Sequence, residues 1–343
     1  MKSIGILDCT LRDGAQVNEA RFGVKAATDI AANLSEAGID IIECGFIKEC
    51  EFEPGRTYYP QPSDMIPYIP KKKEGQLLSA LMDYGRYDVT KLEDCDGRSV
   101  DLIRISFFEW HLDGIKDFLL AVKNKGYLIS IQPMDTFSYT DEDLDRIIDI
   151  ANEVKPYMLA MVDTYSIADE DAIDRVYSKY RARLDKSIRV GFHSHNNQLN
   201  SFGLAKHFIK ISEPDRHIMC DASLFGMGRG GGNLNTEIFT EHLNRQGLKQ
   251  YKIKNILDMV DTYSVEFKKK YEWGYSMPML YAGLYGVHVF TTAYLEKKPG
   301  VTSYDLKCMF EMLDSFKKKR YDYDYLDGIY DEYMKKKEQK ENE

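Results

Sequence analysis

Eight short, apolar, β-branched runs separated by amphipathic stretches constrain this chain more than any other feature. They fall at 4–9, 40–46, 76–82, 101–107, 127–133, 157–163, 188–193 and 218–223, and the later ones start about thirty residues apart. Helical periodicity fills the gaps, as in Val24 to Ala37, Gly114 to Lys125, Asp141 to Val154, Asp169 to Leu184 and Leu199 to Lys210. Strands that alternate with helices, joined by right-handed crossovers, predict an α/β fold built on a closed parallel sheet. The main rival, an open doubly wound sheet, calls for a glycine-rich turn after its first strand. Here that turn reads Thr10-Leu11-Arg12-Asp13.

The expected architecture is therefore a TIM (β/α)8 barrel with a C-terminal helical appendage. The catalytic barrel spans residues 1–247, helices follow over 248–330, and 331–343 is a Lys/Glu-rich tail expected to fray or be disordered. Glu49 to Lys73, with five prolines, is an insertion between strands two and three, either a surface loop or a flap over the strand ends. At 343 residues roughly three quarters of the unfolded surface can be buried, so no disulfide or structural metal is needed.

A hydrophobic share of 43% and a charged share of 29% fit a soluble globular protein, and a net charge of -9 argues against a nucleic-acid surface. The lysine clusters at 71–73, 268–270 and 317–319 have acids nearby and read as solvated faces. Cysteines at 9, 44, 50, 95, 220 and 308 form no C-x-x-C pair, which suits a reducing cytoplasm. Ile4-Gly5-Ile6-Leu7 follows the first methionine so closely that no signal peptide is expected. Trp273 to Leu295 lacks Asp, Glu, Lys and Arg over 23 residues, yet its Pro278, glycines and His288 keep hydrophobicity modest. It reads as a buried helix or helix pair at a subunit contact, and hence as a sign of a homo-oligomer, rather than a membrane span.

In a parallel barrel, reactive groups sit where strands end. Arg12 and Asp13 follow strand one, Glu43 closes strand two, Asp163 closes strand six, and His193 and His195 close strand seven. Two positions apart on an extended chain, the histidines face one side. With Asp13 they make two nitrogens and a carboxylate, a set that suits Mn²⁺, Zn²⁺, Co²⁺ or Fe²⁺, or Mg²⁺ if oxygens are added. Arg12 can fork onto a carboxylate or enolate, or pair structurally with Asp13 or Glu43. Arg104 also lies in a strand, in either a structural or a substrate role. Gly226 to Asn233 follows strand eight, and its Gly230 and Gly231 are expected to bring backbone amides to an anionic substrate. Asn233 either reaches the metal or caps the next helix.

The motifs Asp8-Cys9-Thr10-Leu11-Arg12-Asp13-Gly14, His193-Ser194-His195-Asn196 and the loop 226–233 resemble those of the DRE-TIM metallolyases over about residues 4–245. That superfamily includes 4-hydroxy-2-oxovalerate aldolase, hydroxymethylglutaryl-CoA lyase and the isopropylmalate and homocitrate synthases. The resemblance implies a divalent-metal enzyme that makes or breaks a carbon–carbon bond next to a carbonyl. It implies Asp13, His193 and His195 as ligands with Asn233 as a fourth. Arg12 would stabilise an enolate, Glu43 would act on substrate or on metal-bound water, and Asp163 would meet substrate. The pyruvate aldolase branch is the most similar. It implies a 2-oxo acid and an aldehyde as small-molecule substrates, and an aldehyde dehydrogenase partner at the appendage.

The aldolases carry a histidine after Arg-Asp-Gly, whereas this chain has Ala15-Gln16-Val17. Gln16 matches the synthases and the lyase, and an amide cannot accept a proton at neutral pH. The base is then a metal-bound hydroxide, Glu43 or a group such as Tyr139. The alternatives are a Claisen-type acyl-CoA synthase, a non-heme Fe²⁺ oxygenase, and a non-catalytic partner subunit.

Overall fold

Each apolar run is a strand that buries nearly all of both faces, as a parallel barrel wrapped in helices requires. The computed structural model describes residues 3–341. Its barrel strands are β1 (Ile4–Asp8), β2 (Ile41–Ile47), β3 (Leu77–Asp83), β4 (Leu102–Phe107), β5 (Leu128–Pro133), β6 (Met158–Asp163), β7 (Arg189–Ser194) and β8 (Ile218–Ala222). Neighbours in sequence pair in parallel, and β1 pairs with both β2 and β8, which closes the TIM barrel. Leu7, Ile41, Leu102, Met158 and Met219 form a tight apolar cluster. Glycines make the room: a Cβ at Gly5 would lie 2.6 Å from the Met219 sulfur, and one at Gly191 2.9 Å from that of Met158.

Six helices clothe the sheet: α1 (Val24–Ala37), α2 (Ile115–Asn124), α3 (Asp141–Val154), α4 (Glu170–Arg183), α5 (Ser201–Ile211) and α6 (Thr236–Arg245). Thr140 and Asp169 start α3 and α4 by accepting the amides of Asp143 and Ala172. Strict alternation fails twice, because only single 3-10 turns (Pro62–Met65 and Val89–Lys91) lie between β2 and β3 and between β3 and β4. The prolines of the first connection remove the amide donors a longer helix needs. That insertion is firmly seated: Tyr58–Tyr59 adds a short strand to β2, the Thr57 amide donates to the Ala20 carbonyl, and Met65 is buried.

The region after 248 divides physically. Helix α7 (Ile253–Met259), a π turn (Val260–Ser264) and α8 (Val265–Lys268) lie near α1, and Ile256, Met259, Val260 and Trp273 join the barrel's own core. Helices α9 (Met277–Tyr285), α10 (Val289–Glu296), α11 (Ser303–Met312), α12 (Ser315–Lys318) and α13 (Tyr323–Glu341) enclose a second core of Val287, Leu295, Leu306, Met309, Phe310, Leu313, Leu326 and Ile329. The uncharged stretch 273–295 is broken at Gly286, whose φ is +63°. Among the described residues no helix is long and apolar enough to cross a membrane.

Residues 331–341, expected to fray, instead continue α13, while 342–343 lie outside the described residues. Helical spacing explains the difference. Tyr333 and Lys337, four apart, both bond the buried Asp305 carboxylate, and Glu332 pairs with Lys336.

Candidate metal centre and active site

The first motif splits into scaffold and site. The Asp8 carboxylate accepts from the Thr10 amide (2.9 Å) and the Thr236 hydroxyl (2.6 Å), and the Thr10 hydroxyl accepts from the Leu224 amide (2.8 Å). The Arg12 and Asp13 amides fold back onto the Cys9 carbonyl, a tight turn after the end of β1. From it the Arg12 guanidinium donates Nη1–H to Asp13 Oδ1 (2.7 Å) and Nε–H to Glu43 Oε2 (2.6 Å). Glu43 stands just before a bulge in β2, where the pairing with β3 shifts between Glu43 and Phe46.

Asp13, His193 and His195 come together, with one potential ligand atom of each within 4.8 Å of the others and all three buried. The imidazole rings are 5.1 Å apart and nearly perpendicular. Each is oriented through Nδ1: His193 donates to Asp221 Oδ2 (3.0 Å) and His195 to the Gly232 carbonyl (3.3 Å). Those bonds put the ring protons on Nδ1 and leave both Nε2 lone pairs for a cation. Burial alone would raise the Asp13 carboxyl, but the Arg12 guanidinium holds it well below the usual carboxylate range. Burial pushes His195 down to about 3, so it stays neutral and competent as a ligand.

Asn233 is placed by an isolated bridge to His195. Its Nδ2 donates to Asp13 Oδ2 (2.8 Å) and the Met227 carbonyl (3.2 Å), while its Oδ1 is buried with no hydrogen-bond partner. It does not cap α6, since the residue at that cap is Asn235. Gly228 keeps the space open: a Cβ there would lie 2.3 Å from Asn233 Nδ2 and 2.7 Å from Asp13 Oδ2. The residues fit a divalent ion: the bare Asn233 Oδ1 lies beside Asp13 and the two histidines. Arg12 and Arg104 face the buried carboxylates Asp13, Glu43 and Asp221.

Other expected site residues stand apart from this cluster. Gln16 ends a 3-10 turn (Gly14–Gln16), half-buried, with no side-chain hydrogen bond. Asp163 Oδ1 accepts the Ile167 (2.8 Å) and Ala168 (3.3 Å) amides and so ties down its own loop; burial raises its carboxyl to about 7. Gly230 and Gly231 serve packing where an open anion cradle was expected. The Gly231 amide is taken by Asn197 Oδ1 (2.8 Å), and a Cβ at Gly230 would sit 2.7 Å from Val289 Cγ1. Tyr139 is buried with a partnerless hydroxyl whose pKa burial drives well above normal, so it is no base. Glu43 Oε2 is held by Arg12 and by Arg104 Nη1 (2.9 Å), while its Oε1 is buried with no hydrogen-bond partner.

Sequence reasoning missed Asp221 and Gln132, both buried partners of Arg104. Their signal was a polar side chain inside a mostly apolar strand. It also missed Gly228, and Arg229, whose buried Nε has no partner and whose charge acts on Asp13, His195 and His288.

Known proteins resemble this chain in sequence and in fold. The chain is 25% identical over 316 residues to the 4-hydroxy-2-oxovalerate aldolase of Marinomonas sp. (strain MWYL1), covering 87% of this chain and 88% of that one. In fold it is similar to the N-terminal domain of a candidate aldolase from Bacteroides vulgatus, with TM-score 0.73, 21% identity, and 84% of this chain and 95% of that one covered. It is also similar to the HMG-CoA lyase of Bacillus subtilis, with TM-score 0.62, 16% identity, and 78% and 94% covered. With residues 3–266 matched by the family model described as HMGL-like, the chain belongs to the HMGL-like family.

Proposed function

We propose that this protein is a divalent-metal-dependent carbon–carbon lyase or aldolase that acts on a 2-oxo acid through a pyruvate-type enolate. The observation that carries this reading is the buried Asp13–His193–His195 cluster beside a permanently charged Arg12. Asp13 and the two Nε2 atoms hold the ion, and the bare Asn233 Oδ1 supplies a fourth ligand. Mn²⁺ or Mg²⁺ is the expected occupant, with Zn²⁺ or Co²⁺ as substitutes. A bound ion supplies Lewis-acid polarisation of the substrate's oxygens.

Arg12 carries the protein's share of the catalysis. Fixed by Glu43 and Asp13, its guanidinium is preorganised to meet the negative charge of the enolate in a buried site, where such a donor counts most. Glu43 positions Arg12. The second substrate is an aldehyde in the condensation direction. The similarity to 4-hydroxy-2-oxovalerate aldolases supports that choice over acyl-CoA condensation. The helical lobe leaves Met277, Leu284 and Tyr304 exposed, the face we assign to a subunit contact or an aldehyde dehydrogenase.

The test is cleavage of 4-hydroxy-2-oxo acids of graded chain length, with released pyruvate read by a lactate dehydrogenase couple. Metal-dependent pyruvate release is the expected result. No release from any of them, together with thiol release from acetyl-CoA and a 2-oxo acid, would replace the aldolase reading with the synthase.

A further inference from the structure

We propose that Arg104 is a positioning residue that couples the two halves of the metal centre across the barrel interior. Arg104 lies on β4 and is almost completely buried. Its Nη1 donates to Glu43 Oε2 (2.9 Å), the same oxygen that accepts Arg12 Nε–H, and Arg12 in turn holds Asp13 Oδ1. Its Nη2 donates to Gln132 Oε1 (3.0 Å) and to Asp221 Oδ2, the oxygen that orients His193. An unbroken chain of buried charge-assisted bonds thus runs from Asp13 to His193, with Arg104 at its midpoint. Neither β2 nor β8 neighbours β4 in the sheet, so only a long forked side chain crossing the interior can reach both carboxylates.

Geometry argues for coupling over mere packing. Arg104 touches no ligand itself, yet His193 is one carboxylate away through Asp221, and Asp13 lies beyond Glu43 and Arg12. Partners of that kind fix ring orientation and typically change metal affinity 10–100-fold when removed. The competing view, that Arg104 only offsets buried negative charge, predicts the opposite sign. Removing a cation near a divalent ion then strengthens ion binding by Coulomb's law.

The inference rests on the metal-site reading above, and the experiment separates the two. Mn²⁺ alone is titrated into the full-length wild type, Arg104→Gln, Arg104→Lys, Asp221→Asn and the Arg104→Gln/Asp221→Asn pair. Free Mn²⁺ is followed by electron paramagnetic resonance, and folding is checked by circular dichroism. Arg104→Gln should weaken Mn²⁺ binding about 10–100-fold. Arg104→Lys keeps the charge and loses the fork, so it should also weaken binding. In the Asp221→Asn background the Arg104 change should have a smaller effect than in the wild type, because only the Glu43 arm is then left to lose. Unchanged or tighter binding by folded Arg104→Gln overturns the proposal. If that variant does not fold, wild-type affinity in Arg104→Lys does so. Failure of the wild type to bind Mn²⁺ overturns the metal site itself.

Discussion

The barrel interior and the helical lobe are held together by different means. At the barrel centre, Arg12, Glu43, Arg104, Asp221 and His193 form a buried ionic chain on five strand ends or strands, with every distance fixed by sheet geometry. The lobe of α9 to α13 rests on its own apolar core and meets the barrel by close packing at Gly230 and Gly283 and by a set of polar and ring contacts. Lys319 pairs with the buried Asp135 (2.6 Å), the Tyr165 hydroxyl donates to the Lys319 carbonyl (2.8 Å), and Arg320 lies 4.3 Å from the Trp110 ring centre. His288 caps α10 by accepting the Phe290 amide at Nδ1, which leaves its proton on Nε2 and faces Tyr165 with its ring. The difference teaches a division of labour. Charge in the interior costs stability and sets chemistry, whereas charge at the lobe contact holds one body against another.

Substitutions should keep these regions separable. Arg12→Ala should stay folded and bind Mn²⁺ more weakly, since Arg12 holds Asp13, while turnover at saturating Mn²⁺ falls about 10²–10³-fold, the usual loss for one preorganised donor; steady-state kinetics beside a Mn²⁺ titration checks it. Wild-type turnover would remove Arg12 from the mechanism. Gly228→Ala should push a methyl group against Asn233 and Asp13 and weaken Mn²⁺ at least about tenfold with little change in melting.

On the lobe side, Lys319→Ala leaves Asp135 buried without its cation and should cost about 1–3 kcal/mol in urea unfolding, with metal affinity untouched. A metal-affinity change there would break the comparison.

The smallest effect is on pH. Burial raises Asp163 to about 7 and Asp8 and Asp135 to about 6, all above their unfolded values. The folded state therefore binds protons more tightly than the unfolded chain in this range. Stability should rise as pH is lowered from about 8 to 6, and the gain is lost as pH climbs back through those values. Thermal melts read it, and Asp163→Asn should flatten the upper part of that slope.

Much of this was legible in the sequence. All eight strands were, because apolar runs of strand length bounded by helical periodicity leave few other solutions. Asp13, His193 and His195 were legible because short-range motifs fix them at strand ends. Arg104 with Asp221 and Gln132 was not, since their meeting depends on barrel closure between β4, β5 and β8, which no local spacing encodes. The glycine loop was misread for a related reason. Backbone freedom at Gly230 and Gly231 permits an anion cradle or close packing, and only Asn197 and Val289, brought in by tertiary structure, decide for packing. The order of 331–341 likewise depends on Asp305, distant in sequence.

The most direct test of the central claim is hydrogen exchange at the pyruvate methyl group, followed by NMR in D₂O with Mn²⁺ or Mg²⁺ and with EDTA as control. Metal-dependent exchange that EDTA abolishes and Arg12→Ala strongly slows is the predicted result. Protein that binds the metal yet leaves the methyl protons in place at the buffer rate would contradict the enolate account.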